Sequence, residues 1–412
     1  MIKLAWRRAA IVLAAGSTLA LAGALLPAQA ATTGWRTDAT FVVRGSENIY
    51  TSVAASGRSD AWAAGFAVKP SGKSWQTEIR HWTGKAWRAV ALPAKIAKTW
   101  NKEDPVLPEV GVASARDVWV FGGFAGSYLR LNGSKWTIGR LPGGSASAGA
   151  LIQIDAVKVF SSTNVWALGE RDVFSSTQEV TAAYAAHYNG RKWSRVSAPG
   201  TGGITAVAAA SSSTIWAVES TQSNEGLAMP AAARPVVTRA RAAAAAATPP
   251  VVLQWTASTG WQQAADQPSL ATSDQLTSVV AEPDGDVWLG GSADNSAKGT
   301  SPLTAEWNGT SWSVSDLPGK ATSADLQLLT MAPDGTGGIW ALALNGSTGA
   351  ERIWQLHGAT WSQAKPAFGK RAWVLTALAL VPGTHSVWGA GAVEATKSTA
   401  DGLIAVDGAL PR

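Results

Sequence analysis

The chain has 412 residues, with 34 Lys and Arg against 28 Asp and Glu, four His, no Cys and 22 Trp. The lack of cysteine excludes disulfide staples, thiol nucleophiles and cysteine-ligated metal, so the fold must rest on its hydrophobic core. Lys3, Arg7 and Arg8 account for half of the net charge of +6, which removes the high isoelectric point as a nucleic-acid signal.

Residues 1–30 read as a secretory signal peptide. Lys3, Arg7 and Arg8 form a basic start, Ala9 to Leu26 an apolar run, and Ala28-Gln29-Ala30 a small-x-small cleavage site. The apolar run also has the length of an uncleaved anchor, and Arg7-Arg8 is compatible with twin-arginine export. The expectation is a secreted chain, 31–412, extracellular or associated with the cell envelope, with no membrane span after cleavage.

A pattern of short strands then repeats. Its first half is "SDAWAAG", "RDVWVFG", "TNVWALG", "STIWAVE", "GDVWLGG", "GGIWALA" and "HSVWGAG", around Trp62, Trp119, Trp166, Trp216, Trp288, Trp340 and Trp388. The spacing is 47 to 57 residues, with one gap of 72. The second half, such as "HYNGRKW" and "EWNGTSW", places Trp87, Trp136, Trp193, Trp261, Trp312 and Trp361 after Asn-Gly-type turns. A period of this length built of strands and turns predicts an all-β, seven-bladed β-propeller. Each unit supplies an inner strand of small residues, such as "GITAVAAAS", a second strand with the first tryptophan, a third strand, and a fourth with the second tryptophan. Blades widen outward, so the repeated tryptophans are expected to fill inter-blade gaps.

Only six fourth strands follow the seven inner strands. The seventh is supplied from the other terminus by "TGWRTDATF", with Trp35, and should pair with the C-terminal "GLIAVDG". That closure leaves no open edge. The long gap holds "GLAMPAAARPVVTRARAAAAAATPP", which has no strand pattern. A disordered insertion is expected at about 221–250.

The order W-x4–5-P, strand, turn, V-W-A-V-G, then W-N-G resembles tectonin-type propeller repeats. The matching residues are the pairs Trp87/Trp119, Trp136/Trp166 and Trp312/Trp340, with Gly133, Gly190 and Gly309 in the turns. The resemblance covers nearly the whole of 31–412 and implies a lectin-like protein that recognises microbial surfaces. It carries over no binding residue. Neither a sialidase Asp-box nor a quinone-enzyme signature is present in the sequence.

Propeller connectivity gathers the loops between second and third strands, and those between blades, on one face. Here those loops vary in length (67–76, 94–105, 172–182, 221–250 and 292–302), so function is expected there. Trp75 and Trp100 fall in two of them, outside the repeat register, among Lys69, Lys73, Lys95, Lys98 and Lys102. Such rings stack on sugars and lysines suit anionic polymers; the alternative is that they cap a blade edge. Aligned inner strands place Thr51, Glu109, Asp155, Thr205, Thr277, Gln327 and Thr376 around the axis. Glu109 and Asp155, on consecutive blades, could bind a cation or serve as acid and base, or simply line a wet channel. The four histidines lack metal-ligand spacing, so neither metal nor cofactor is expected. The leading expectation is a non-catalytic propeller that binds a glycan or cell-wall polymer through Trp75, Trp100, Lys73, Lys98, Glu109 and Asp155. The rivals are a secreted hydrolase or lyase using the acid pair, and a cell-surface scaffold with a protein partner. Nucleic acid is not an expected partner.

Overall fold

In a computed structural model of the chain, the described residues form seven four-stranded antiparallel sheets arranged as a β-propeller. The structure describes residues 34–69, 75–102, 107–123, 125–145, 149–174, 179–220, 248–295, 299–316, 326–345, 350–357, 360–396 and 399–410. The signal segment 1–30, Lys73 and nearly all of the expected 221–250 insertion lie outside them.

The inner strands of blades 1 to 7 are Glu47–Gly57, Glu109–Ser114, Ala150–Ser161, Gly203–Ser211, Gln275–Ala281, Leu326–Pro333 and Trp373–Leu380. Blades 1 to 6 are built in simple chain order from the inside out. Blade 7 takes its outermost strand, Arg36–Phe41, from the N-terminal end. That strand pairs with Thr399–Asp407, from Arg36 opposite Val406 to Phe41 opposite Gly402. The expected closure is therefore present. Both faces of a blade are covered by its neighbours, which is why the second strands read as unbroken apolar runs: all nine residues of Asp60–Val68 are buried.

Each outer-strand tryptophan packs on the second-strand tryptophan of the preceding blade. The pairs are Trp62–Trp136, Trp119–Trp193, Trp166–Trp261, Trp216–Trp312, Trp340–Trp35 and Trp388–Trp87, edge to face, with centroids 5.0–6.3 Å apart. In the remaining gap Trp288 and Trp361 pack against one apolar cluster. Trp119, Trp340 and Trp388 have buried indole N–H groups without an oxygen partner. At these three positions ring packing, and not hydrogen bonding, accounts for the tryptophan.

The residue two places before the second-strand tryptophan also has a task. Asp60 accepts the Trp62 indole N–H at 3.0 Å and lies 2.8 Å from His81 Nε2, while the His81 ring stacks on Trp62 at 4.2 Å. In blade 2 the Arg130 guanidinium lies 4.1 Å over the Trp119 ring and donates to both carboxylate oxygens of Asp117. In blade 3 His187 stacks on Trp166 at 4.5 Å and contacts Asn164 Oδ1 at 2.9 Å. A cross-strand partner thus covers one indole face and is anchored to the turn. Blade 5 departs from this, with Glu306 opposite Trp288 and Asp286 in the turn.

Two of the loops expected to be irregular are paired strand through their described residues. In blade 3 the second and third strands stay paired out to Phe174 and Glu179, and in blade 5 out to Asn295 and Gly299. Their polar residues read as loop, but the ladder continues because its two strands remain in register. The 94–105 connection holds a short helix, Ala94–Trp100.

Candidate functional site

The hub repeats one device. In six blades the pairing of inner and second strands slips by one residue, leaving Thr51, Asp155, Thr205, Thr277, Leu329 and Thr376 as the extra residue of a β-bulge. The four threonines use this position to donate across the gap to the next blade. Thr51 reaches the Pro108 carbonyl at 2.8 Å, Thr205 that of Leu276 at 2.9 Å, Thr277 that of Leu328 at 2.7 Å, and Thr376 that of Tyr50 at 2.7 Å. These bonds staple consecutive blades around the axis.

Two members of the sequence-derived ring are corrected here. The bulge in blade 6 is at Leu329, and Gln327 is exposed and away from the channel. In blade 2 the register from Trp119 puts Pro108 at the ring position and Glu109 one residue further on. The misreading has a physical cause, since a bulge is invisible in an alternating pattern and shifts every residue beyond it.

The channel is a cavity of about 340 Å³, and Glu109 and Asp155 both line it. Besides the hub residues, the lining takes in Ile49, near the start of the blade 1 inner strand, and Leu107, just before the blade 2 inner strand. Glu109 accepts a 2.8 Å hydrogen bond from Ser52 of the preceding blade, whose hydroxyl in turn accepts the Val110 N–H at 3.1 Å. Asp155 accepts from Gln153 at 2.7 Å. Burial pushes the Glu109 carboxyl well above the usual range against the Ser52 bond, and the neighbouring Asp155 charge adds to this. Burial likewise pushes Asp155 up to about 6, opposed by the Gln153 bond and helped by Asp172. The structure therefore brings Glu109 and Asp155 together as two carboxyls that release their protons at higher pH than usual.

Trp75 is half-buried and packs on Phe66, centroids 4.7 Å apart. Ile49 and Leu107 complete this cluster, and Phe66, Ile49 and Leu107 also line the channel. Trp75 is thus joined to the channel lining through an apolar shelf. Leu107 holds a positive φ of 34°, the left-handed region that non-glycine residues rarely adopt, immediately before Pro108. Strain of this kind persists where surrounding contacts enforce it. Phe66 and Leu107 were not singled out in the sequence. The cue for Leu107 was its place between two prolines in "DPVLPEV", which marks irregular backbone entering an inner strand.

Trp100 does not join the shelf. It is 0 % exposed at the end of the helix, in the core cluster with Val110, Val118 and Trp136, and its indole N–H donates to Thr77 at 2.8 Å. The expectation of a ring presented to ligand is corrected to the blade-edge alternative. The helix turns Trp100 inward while leaving Lys98 exposed, and it packs on the outer strand of blade 2, Lys135–Arg140, away from the channel. Among the described residues no helix is long and apolar enough to cross a membrane, and no group of three His, Cys, Asp or Glu is placed to hold a metal ion.

No family model and no curated protein matches the chain. Solved propellers do. YCF48 from Cyanidioschyzon merolae is 13% identical over 91% of this chain and 98% of its own, with a TM-score of 0.49. A GH74 xyloglucanase from Xanthomonas campestris is 12% identical over 87% of this chain and 59% of its own, TM-score 0.47. The SapL1 lectin, solved with α-methyl fucoside, is 9% identical over 80% of this chain and 98% of its own, TM-score 0.42.

Proposed function

We propose that this chain is an exported, non-catalytic propeller that binds an extracellular polysaccharide or cell-wall polymer at the channel mouth. One observation carries the reading: the Trp75–Phe66 shelf runs into the cavity that carries the Glu109 and Asp155 carboxyls. An apolar ring beside hydrogen-bonding groups matches a sugar, which has one apolar face and an equator of hydroxyls. Glu109 and Asp155 line the cavity with oxygens that accept from hydroxyls, and each can also donate in its protonated form. The secretory reading of residues 1–30 supplies the compartment, and Lys73 remains a proposed contact on the segment beside Trp75.

The test is retention on immobilised envelope polysaccharides. Trp75→Ala should weaken binding by about 1–3 kcal/mol, if stacking on a sugar matches stacking on a base, roughly 5- to 150-fold. Trp100→Phe should leave it unchanged. Equal retention by Trp75→Ala and the parent would remove the shelf from the site. The raised carboxyl pair supports one second reading, a glycan hydrolase or lyase with Glu109 and Asp155 as acid and base. Cleavage of the retained polymer by the parent, lost in Glu109→Gln, would establish that reading in place of the first.

A further inference from the structure

A separate recess lies at the rim of the propeller, between the outer strand of blade 2 and the outer hairpin of blade 3. It has a volume of about 360 Å³ and is lined by aromatic rings and by four cations, with no carboxylate in its wall. We propose that it binds a sugar unit carrying an anionic substituent, a carboxylate or a phosphate ester. This goes beyond the channel-mouth reading and rests on none of the same residues.

The floor is built by Tyr128 and Trp193, both half-buried, with ring centroids 6.0 Å apart and planes inclined at 57°. Gly139 makes room for that floor: a Cβ at this position would fall 2.3 Å from the Tyr128 hydroxyl oxygen. Arg130 closes the inner wall. It is held by both oxygens of Asp117 and donates to the Tyr188 hydroxyl at 2.8 Å, so its charge is already matched. The unmatched charge belongs to Arg191 and Lys192, which are exposed and have no acidic partner among the described residues.

These two cations stand on a fixed turn. Asn189 Oδ1 accepts the backbone N–H of Arg191 and of Lys192, each at 3.1 Å, and the Tyr188 hydroxyl donates to the Gly190 carbonyl at 3.0 Å. The corresponding turn in blade 5 has the same Asn308 arrangement but carries Thr310 and Ser311 in place of the charges. The turn is thus a property of the repeat, while the two charges are particular to the gap between blades 2 and 3. A cationic edge above two rings offers an anion its counter-charge and the sugar ring a stacking surface. The volume is that of a small-ligand site.

Isothermal titration of the whole protein should use tetragalacturonate, its neutral methyl ester, glucose 6-phosphate and glucose. One or both anionic probes should bind at least about tenfold tighter than the neutral counterpart, with affinity falling as salt rises. Arg191→Ala with Lys192→Ala should weaken that binding at least tenfold, and Lys85→Ala, at the exposed turn of blade 1, should leave it unchanged. Lys192→Glu serves as a second variant if the double change unfolds. Binding of tetragalacturonate alone assigns a carboxylate, and of glucose 6-phosphate alone a phosphate. Equal binding of the neutral probes, no binding of either anion, or full binding by the charge variants would overturn the proposal.

Discussion

Two rings of contacts join the blades, one at the rim and one at the hub, and the repeat keeps them with different strictness. At the rim a tryptophan from each blade reaches the gap before it, in all seven gaps. At the hub the threonine staple spans four gaps and is replaced elsewhere by Pro108, Asp155 and Leu329. The gaps widen outward, so the rim needs large rings whatever else the chain does. Close to the axis the strands already touch, and one hydroxyl adds little. The hub can therefore accept changes made for function. Blades 2 and 3, which lack the staple, are the consecutive blades that place Glu109 and Asp155 in the channel.

The largest loss should come from the closing strand. Removing residues 31–43 deletes Trp35, the rim partner of Trp340, and uncovers the edge of Thr399–Asp407. The product should lose its cooperative melt and aggregate through the open edge, and an unchanged melting temperature would refute the closure. Next comes a single rim ring: Trp119→Ala should cost roughly 3–5 kcal/mol in urea denaturation through the cavity it leaves. A single hub staple is smaller, and Thr277→Val should cost about 1 kcal/mol. If Thr277→Val proved as costly as Trp119→Ala, the ranking of rim over hub would fail.

A separate effect at the hub is one of pH. Burial raises the folded Asp155 carboxyl from 3.8 to about 6, so between these values the native state holds a proton that the unfolded chain has released. Stability therefore falls as pH rises through that window. Asp155→Asn should flatten this slope and raise the melting temperature at neutral pH. An unaltered slope would place the titration elsewhere, with Glu109 the next candidate because it shifts in the same direction.

The rim was legible in the sequence because a tryptophan is conspicuous and its spacing survives any local slip. Trp35 could even be assigned to the far end of the chain on the count of outer strands alone. The hub was legible only in part. Bulges displace the register by single residues, so Glu109 and Gln327 were put on positions that belong to Pro108 and Leu329. Trp100 shows the other limit. An out-of-register ring among lysines fits a binding loop and a blade-edge plug equally well, and the seven-residue helix that turns it inward has no apolar period long enough to announce itself. The rim recess was missed because its parts, Gly139, Tyr128 and the Arg191-Lys192 turn, are far apart in the chain.

The most direct measurement of the central claim is the affinity of the parent and of Trp75→Ala for a purified envelope polysaccharide, each with its melting temperature. The account predicts saturable binding by the parent without chain cleavage, and a loss of roughly 5- to 150-fold in the variant at a nearly unchanged melting temperature. Undiminished binding by a folded Trp75→Ala protein would contradict it.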